Sequence, residues 1–252
     1  MSVKPTEHTN RACESFAFSG LKAGECDWRG IMRYNFAKQR LGSYFMHESV
    51  ATSANQRNPL FRTRVITNFW PRADEARARF EQFMGDPGAH AFLSQHQCWD
   101  YWYVPEVYCY LRTDAVKVLG GDLIDDFLAR LEALCDSELN GVSPRSPWLS
   151  LHLNGMRHEI HNDGCNGIYG YVYSLTRNPN AFSGGQTCVA KEQVFDALEP
   201  RQPKAWQGYF EVIPALYDQL TLFDDRLPHM VPVVQGTMNP LEGRVCLTGH
   251  LI

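Results

Sequence analysis

Three features are scarce in this 252-residue sequence: surplus positive charge, paired cysteines and long apolar runs. The formal net charge is −4, so no general electrostatic attraction to nucleic acid or to an anionic membrane surface is expected. No apolar run approaches the length needed to span a bilayer, and the N-terminus lacks the apolar core of a signal peptide. These absences predict a soluble, cytoplasmic protein with neither a nucleic-acid nor a membrane partner.

The eight cysteines are scattered along the chain, and no CxxC pair occurs. This spacing argues against a disulfide framework and against a structural zinc site, so reduced thiols are expected. The content of hydrophobic residues, 44%, is enough for one large core. We therefore predict a single domain over 1–252, with a helical and aromatic part at 1–146 and a β core at 147–252.

Two segments of the first half have helical periodicity. The first, 70–88, has Pro71 near its start and Gly85 as its stop. The second, 121–141, has Asp122 as a candidate cap and an apolar face. Between them, the aromatic run 97–111 predicts core or sheet-edge packing, with a substrate-contacting wall as the alternative.

The second half reads as short β-type runs separated by turn residues. The candidates are 148–155, 167–176, 185–190, 209–213, 219–223, 229–234 and 243–252. Seven runs in about a hundred residues are typical of a sandwich or jelly roll. The predicted fold class is therefore a mostly β core with helices packed on one outer face of the larger sheet.

A cluster of possible metal ligands occurs in HEIHNDG, residues 158–164. On an extended segment, residues i and i+2 point to the same side, so His161 and Asp163 can face one ion. His229, at the start of a later strand, supplies a third ligand. Two imidazoles and one carboxylate leave open positions suited to non-haem iron and oxygen chemistry. His158 and Glu159 are interpreted as non-ligands: His158 as an ordinary surface histidine, with a contact to a metal ligand or to substrate as the alternative, and Glu159 as a solvated side chain.

A guanidinium is expected on the inner wall of the last strand, because Arg244, Cys246, Thr248 and His250 alternate onto one face. A buried guanidinium must find an anion or incur a large desolvation cost. It is suited to binding a carboxylate through two hydrogen bonds. The distal carboxylate of 2-oxoglutarate would match it.

The stretches LNGMRHEIHNDG, YVYSLT, FSGGQT, LFDDRLPHMVPVVQG and GRVCLTG together resemble the 2-oxoglutarate- and iron(II)-dependent oxygenases, in particular their prolyl-4-hydroxylase-like branch. The resemblance covers about residues 148–252 and implies a double-stranded β-helix of the jelly-roll, cupin-like type. It implies that His161, Asp163 and His229 bind iron and that Arg244 binds the distal carboxylate. It also implies that Thr248 and Ser174 face the cosubstrate pocket.

Two departures from the family pattern stand out. The interval from His229 to Arg244 is longer than usual, an insertion placed in QGTMNPLEG. A tyrosine common on the strand before the HxD motif is replaced by Leu151 or His152. His152 is interpreted as either a neutral core histidine or a cosubstrate contact.

Several neighbouring residues receive structural interpretations. The alternating tyrosines 169, 171 and 173 are predicted to pack on the outer sheet face. Gly184 and Gly185 are predicted to form a turn or bulge. Asp224 and Asp225 are predicted to face solvent.

The resemblance implies a dioxygenase that hydroxylates an unactivated C–H bond, with iron(II), 2-oxoglutarate and O₂ as cofactor and cosubstrates and ascorbate as a reductant. A small-molecule or amino-acid-derived substrate is preferred, because the long first half can enclose a pocket. Peptidyl hydroxylation is the runner-up. A non-catalytic β-sandwich that binds a metal or ligand, and a zinc hydrolase with the same three ligands, remain alternatives.

Overall fold

Eleven strands and three helices make up the part of the chain that the computed structural model describes, residues 63–85, 99–105, 107–191 and 206–252. The strands are β1 Thr63–Thr67, β2 Asp100–Val104, β3 Tyr108–Asp114, β4 Trp148–His152, β5 Arg157–His161, β6 Tyr169–Ser174, β7 Thr187–Ala190, β8 Phe210–Ile213, β9 Gln219–Asp224, β10 His229–Val231 and β11 Arg244–Leu251. The helices are α1 Ala73–Gly85, α2 Val116–Leu119 and α3 Gly121–Glu138, and a 3₁₀ turn, Trp206–Tyr209, precedes β8.

The strands pair antiparallel in the order β1-β9-β6-β11-β4-β3-β5-β10-β7-β8, and β2 pairs with β3. β3 holds the two parts of this sheet together, because residues 111–114 pair with β4 while residues 108–109 pair with β5. On their other edges β4 pairs with β11 and β5 pairs with β10. This antiparallel half-barrel confirms the predicted double-stranded β-helix core, and all seven predicted β runs form strands.

The outer face of the larger part of the sheet packs against the helices. The side chains of Tyr171 and Tyr173 on β6 are fully buried, and both rings contact Phe127 of α3. Their hydroxyl groups donate hydrogen bonds to the Arg145 carbonyl and to the Asp218 carboxylate. Burial of the alternating tyrosines therefore confirms the predicted outer-face packing, and leaves the opposite face of the sheet for the candidate site.

Helix α1 ends at Gly85 as predicted, and residues 86–88 of the predicted segment lie outside the described residues. Helix α3 begins one residue before Asp122, which does not cap it, so that part of the prediction is wrong. The N-cap is Gly120, in the left-handed region at φ 88°. Asp122 instead forms an ion pair with Arg79 of α1, 2.6 Å away, which links the two helices.

The first half contains three strands in addition to helices, so its prediction as mainly helical is incomplete. β1 extends the sheet beyond β9, and the aromatic run forms the β2–β3 hairpin. β3 becomes an interior strand because both of its edges are paired. The segment 157–161, which was not among the predicted strands, forms β5 and carries His161 at its end.

None of the helices in the described part of the chain is long and apolar enough to span a bilayer. Within the same residues, Cys109, Cys135, Cys165, Cys188 and Cys246 are free thiols. Cys13, Cys26 and Cys98 lie outside the described residues.

The predicted turn at Gly184 and Gly185 is present, with φ angles of 76° and 73°. A Cβ atom at position 184 would lie 1.9 Å from the carbonyl oxygen of Val233, which is backbone and cannot rotate away. We therefore expect Gly184→Ala to lower the free energy of unfolding by about 2–4 kcal/mol, measured by urea denaturation. Gly208→Ala, with no atom within 4 Å of the new Cβ, is the control and should stay within about 0.5 kcal/mol of wild type. Equal effects in the two variants would contradict this strain argument.

Candidate metal centre and anion pocket

The side chains of His161, Asp163 and His229 converge at the meeting of two strands. His161 ends β5, and His229 begins β10 directly opposite it in register. Asp163 follows β5 by two residues, and its Oδ2 atom lies 3.8 Å from His161 Nε2 and 3.5 Å from His229 Nε2. The three residues form one of two groups with metal-binding spacing among the described residues. The predicted triad therefore comes together in space.

Backbone carbonyl groups fix the orientation of both imidazoles. Nδ1 of His161 lies 2.7 Å from the Glu159 carbonyl oxygen, and Nδ1 of His229 lies 3.0 Å from the Leu227 carbonyl oxygen. Because a carbonyl oxygen can only accept, each Nδ1 must carry the proton. In a neutral ring with the proton on Nδ1, the Nε2 lone pair is free, and in both histidines Nε2 lies on the side of Asp163. Outer hydrogen bonds of this kind orient metal-binding histidines.

The charges of the cluster also suit a divalent metal ion. Burial, together with the neighbouring His229, lowers the pKa of His161 to about 4. Burial by itself would raise the pKa of Asp163, but its interaction with His229 and with the other nearby imidazoles brings the pKa down to about 2. At neutral pH, His161 is therefore neutral and Asp163 is ionised. A carboxylate and imidazole nitrogens with free lone pairs match the donor set of non-haem iron(II).

Asp225 supports the loop that carries Asp163. Its carbonyl oxygen accepts a hydrogen bond from the Asp163 amide, 2.8 Å away, and its Oδ2 atom lies 2.9 Å from Nδ1 of His250. Asp224 and Asp225 are both buried, so the prediction that they face solvent is wrong. Asp224 pairs with Arg226, and Asp225, His250 and Asp163 form the second group with metal-binding spacing. The reason for the error is tertiary: β6 and β11 cover this loop, and the sequence does not show it.

Arg244 lies on the inner face of the sheet, on β11 where it pairs with β4. Only 1% of Arg244 is exposed. One terminal nitrogen donates to Thr187 Oγ1 at 3.1 Å, and the other lies 3.4 Å from His152 Nδ1. Its Nε atom is buried without a hydrogen-bond partner, and no described carboxylate lies within ion-pair distance. A buried guanidinium without a counter-ion is costly, so the geometry fits an anionic ligand at this position.

A stack of rings connects Arg244 with the triad. The Tyr110 ring lies parallel to His152, with centroids 5.1 Å apart, and 4.2 Å from His158. Tyr108 contacts His158 and His161 edge-on, at 5.3 and 5.0 Å. His158 is thus part of the interior, which corrects its interpretation as a surface histidine. The two tyrosines were not predicted individually as site residues, although their alternation in the run 97–111 was a usable signal.

The remaining predicted site residues have hydrogen-bond partners other than Arg244. Thr248 Oγ1 lies 3.0 Å from Ser150 Oγ, and buried Ser174 accepts a hydrogen bond from the Thr176 amide. Both lie on strands that reach the inner face, but neither hydroxyl group is a partner of Arg244. Thr187, which was not predicted as a site residue, accepts the hydrogen bond from Arg244 instead. Glu159 pairs with Arg157 and is half-exposed, in line with its interpretation as a non-ligand.

The buried histidines predict an acid-sensitive fold. Burial, reinforced by the charge of Arg244, lowers the pKa of His152 well below its usual 6.5, and burial does the same for His158. A folded-state pKa below the unfolded value gives stability that is present above pH 6.5 and lost as pH falls. Each such histidine lowers the free energy of unfolding by about 1.4 kcal/mol for each pH unit below 6.5, down to its folded-state pKa. Together with His161, the three histidines give a slope that approaches about 4 kcal/mol per pH unit.

The measurement is urea unfolding of the metal-free protein at several pH values between 7.5 and 4.5. The double variant His152→Phe and His158→Phe keeps both rings and removes two titrating groups. We expect it to retain about one third of the wild-type slope. An unchanged slope in the double variant would contradict the assignment of these residues as neutral buried imidazoles.

Comparisons with known proteins bear on the fold. No protein-family model matches this chain, and no curated protein sequence matches it either. Among solved structures, the non-haem α-ketoglutarate-dependent epimerase SnoN from nogalamycin biosynthesis is similar, with a TM-score of 0.51, 15% identity, and coverage of 85% of this chain and 81% of that chain. The chain has the fold of the 2-oxoglutarate- and iron(II)-dependent oxygenases. Within this fold, His161, Asp163 and His229 form a group with metal-binding spacing.

Two prolyl hydroxylase structures are also similar to this chain, both at 15% identity and with TM-scores below 0.5. One is a prolyl-4-hydroxylase from Pseudomonas putida, with a TM-score of 0.49 and coverage of 76% of this chain and 92% of that chain. The other is a Trichoplax adhaerens prolyl hydroxylase in complex with a hypoxia-inducible-factor peptide fragment, with a TM-score of 0.48 and coverage of 89% and 92%.

Proposed function

We propose that this protein is an iron(II)- and 2-oxoglutarate-dependent dioxygenase that hydroxylates a C–H bond of a small-molecule or amino-acid-derived metabolite. The observation that carries the proposal is Arg244, a buried guanidinium without a carboxylate partner among the described residues, on a face that also presents the His161–Asp163–His229 cluster. A structural metal site alone would not explain the unpaired cation. A cosubstrate with an anionic end explains both.

The triad residues are proposed to hold the metal ion. The Nε2 atoms of His161 and His229 and the ionised Asp163 carboxylate are the three protein ligands. Iron(II) bound there would supply oxygen activation coupled to decarboxylation of the 2-oxo acid. The overall reaction is balanced: substrate R–H, O₂ and 2-oxoglutarate give R–OH, succinate and CO₂. Asp163 fills the position that a halide would need, so hydroxylation is the proposed outcome.

Arg244 and its neighbours are proposed to bind and orient the cosubstrate. The guanidinium can pair with the distal carboxylate through two hydrogen bonds, and Thr187 keeps it in place. His152 is neutral, so it adds no competing charge, and its Nε2 atom is buried without a partner among the described residues. Because Nδ1 accepts from Arg244, Nε2 carries the proton and can donate to the same ligand.

A metabolite rather than a peptide remains the preferred substrate. Tyr108 and Tyr110, from the aromatic run of the first half, contact the rings around the metal cluster. This supports the alternative interpretation of that run as a wall of the pocket. Aromatic walls with a few oriented polar groups are typical of small-molecule sites. Ascorbate remains the proposed reductant for iron that oxidises during turnover.

The test is the stoichiometry of turnover of the iron-loaded full-length protein with 2-oxoglutarate, with and without ascorbate. We expect O₂ consumption and succinate formation in a one-to-one ratio, and loss of both in Asp163→Ala. Metal binding with no consumption of 2-oxoglutarate would contradict the proposal and favour a binding module. Hydrolytic activity with zinc and without O₂ would favour a hydrolase.

A further inference from the structure

A second arginine lies on the same inner face as Arg244. Arg112 of β3 faces Ser150 of β4 in register, while Arg244 of β11 faces His152 on the other edge of β4. Two strand spacings and a shift of two residues place the Cα atoms of the two arginines about 12 Å apart. β4 lies between them, so the two cations serve separate positions on this face.

Two indole rings hold the Arg112 guanidinium. Its central carbon lies 3.5 Å from the Trp102 ring centroid and 4.5 Å from the Trp148 ring centroid. The two tryptophans are 37% and 42% exposed, so this position is open to solvent. Contact with a ring face leaves the N–H groups in the guanidinium plane free to bind a ligand.

Arg112 has no counter-ion in the part of the chain that is described. Its Nε atom is buried without a hydrogen-bond partner. Asp100 lies directly opposite on β2, yet the two side chains form no ion pair within 4.0 Å. Asp114 is engaged elsewhere, because its Oδ1 atom accepts a hydrogen bond from the Val116 amide. Tyr110, which shares a side-chain hydrogen bond with Arg112, brings no negative charge. The guanidinium therefore lacks an anionic partner among the described residues and can receive an anion from outside the chain.

The neighbours of Arg112 connect it to the candidate active site. Tyr110, two residues before it, stacks on His152, and Tyr108, two residues further, contacts the metal-cluster residue His161. Alternation along β3 puts these two tyrosines and Arg112 on one face. A ligand bound by Arg112 would thus extend along β3 towards the metal cluster.

We infer that Arg112 binds an anionic group, a carboxylate or a phosphate, of the molecule that this protein oxidises, with Trp102 and Trp148 as the walls of the subsite. The inference rests on the proposed function, since it assigns Arg244 to the cosubstrate and Arg112 to the substrate. It makes the substrate an anionic metabolite rather than a neutral one.

The test uses tryptophan fluorescence of the full-length protein in the Arg244→Met background, where the cosubstrate position cannot bind anions. Sodium phosphate and sodium benzoate are the probes, at ionic strength held constant with sodium chloride. We expect a saturable change with at least one probe, which also separates phosphate from carboxylate recognition. Adding Arg112→Gln should weaken the affinity at least about tenfold, as for loss of a charge-assisted hydrogen bond.

The matched control is Arg177→Gln, because Arg177 also lies over an aromatic ring, that of Tyr217, but on the helix side of the molecule. It should leave both titrations unchanged. Arg112→Lys keeps the positive charge but lacks the planar guanidinium group, and we expect its affinity to lie between those of Arg112→Gln and the parent protein. The same titrations of wild-type protein saturated with 2-oxoglutarate repeat the test without the Arg244 substitution.

The absence of a saturable change with either probe in both backgrounds, or an unchanged affinity in Arg112→Gln, overturns the inference. Failure of wild-type protein to bind 2-oxoglutarate would instead overturn the proposed function, and the anion titration would still report on Arg112. A kinetic test of the same inference compares candidate acids with their neutral amides as substrates, measuring KM and kcat for each. Arg112→Gln should raise KM for the acid by at least about tenfold and change kcat less.

Discussion

Replacing His229 by alanine should abolish tight iron(II) binding and reduce 2-oxoglutarate turnover on the order of 10³-fold. This loss exceeds the roughly 10- to 100-fold loss that is typical when a residue only orients a metal ligand. The physical reason is geometric. His229 presents Nε2 to Asp163 Oδ2 from the strand opposite His161, and without it the ion keeps ligands from one side of the cluster only. Iron binding is measured by anaerobic titration, and turnover by succinate formation.

The control for His229 is His158→Phe. His158 belongs to the same ring stack but is assigned no metal-binding role, and phenylalanine keeps a ring against Tyr108 and Tyr110. This variant should bind iron(II) with an affinity within about threefold of wild type, as expected when no coordinating atom is lost. Loss of iron binding in His158→Phe with retention in His229→Ala would contradict the assignment of the ligands.

Replacing Arg244 by methionine should raise the 2-oxoglutarate concentration at half-saturation by about 100-fold, since removing one member of a buried charge pair costs 2–5 kcal/mol. The metal cluster is built from other strands, so iron(II) affinity in the absence of cosubstrate should be unchanged. The measurement is 2-oxoglutarate binding to the iron-loaded protein under anaerobic conditions. Equal cosubstrate affinity in wild type and variant would contradict the role of Arg244.

The same substitution should leave the ligand-free protein as stable as wild type or more stable, by up to about 4 kcal/mol in the free energy of unfolding. Without cosubstrate, Arg244 is a buried charge with no described carboxylate partner, and methionine removes its desolvation cost. Arg77 is the matched control, because it is equally buried but bonded to Glu81 and to the Leu175 and Leu241 carbonyl groups.

Arg77→Met should destabilise the protein by about 1–3 kcal/mol, because it leaves buried carbonyl groups unpaired. Opposite signs for the two arginines, measured by urea unfolding without 2-oxoglutarate, would show that Arg244 is retained for binding. A loss of stability in Arg244→Met as large as that in Arg77→Met would show a structural role instead.

Local patterns carried most of the prediction of the β core. Most of the seven short runs after residue 147 are flanked by glycine, proline or asparagine, and all seven contain strands. The strands of the first half were missed because TRVIT is short and directly precedes the first segment of helical periodicity, while YCYLRTD lies between the two such segments. Their strand structure comes from pairing with β9 and with β4 and β5, partners that are distant in the chain.

In the candidate site, too, the features with a local sequence signal were predicted, and those that depend on distant strands were not. The i, i+2 spacing of His161 and Asp163 was visible in the sequence, and so was the alternation that places Arg244 on an inner face. Asp225 was misassigned because its burial depends on the neighbouring strands rather than on its own segment. The contacts of Tyr110 with His152, and of Arg112 with two tryptophans, join residues whose proximity depends on strand register.

The most direct test of the central claim is an anaerobic titration of the metal-free full-length protein with iron(II) and then 2-oxoglutarate, followed by visible absorption. If the His161–Asp163–His229 cluster and Arg244 form one cosubstrate site, a weak metal-to-ligand charge-transfer band of the chelate appears and saturates. The band should be absent in His229→Ala, and in Arg244→Met it should require about 100-fold more cosubstrate. Iron binding without any such band, at every 2-oxoglutarate concentration, would contradict the assignment of this protein as a 2-oxoglutarate-dependent oxygenase.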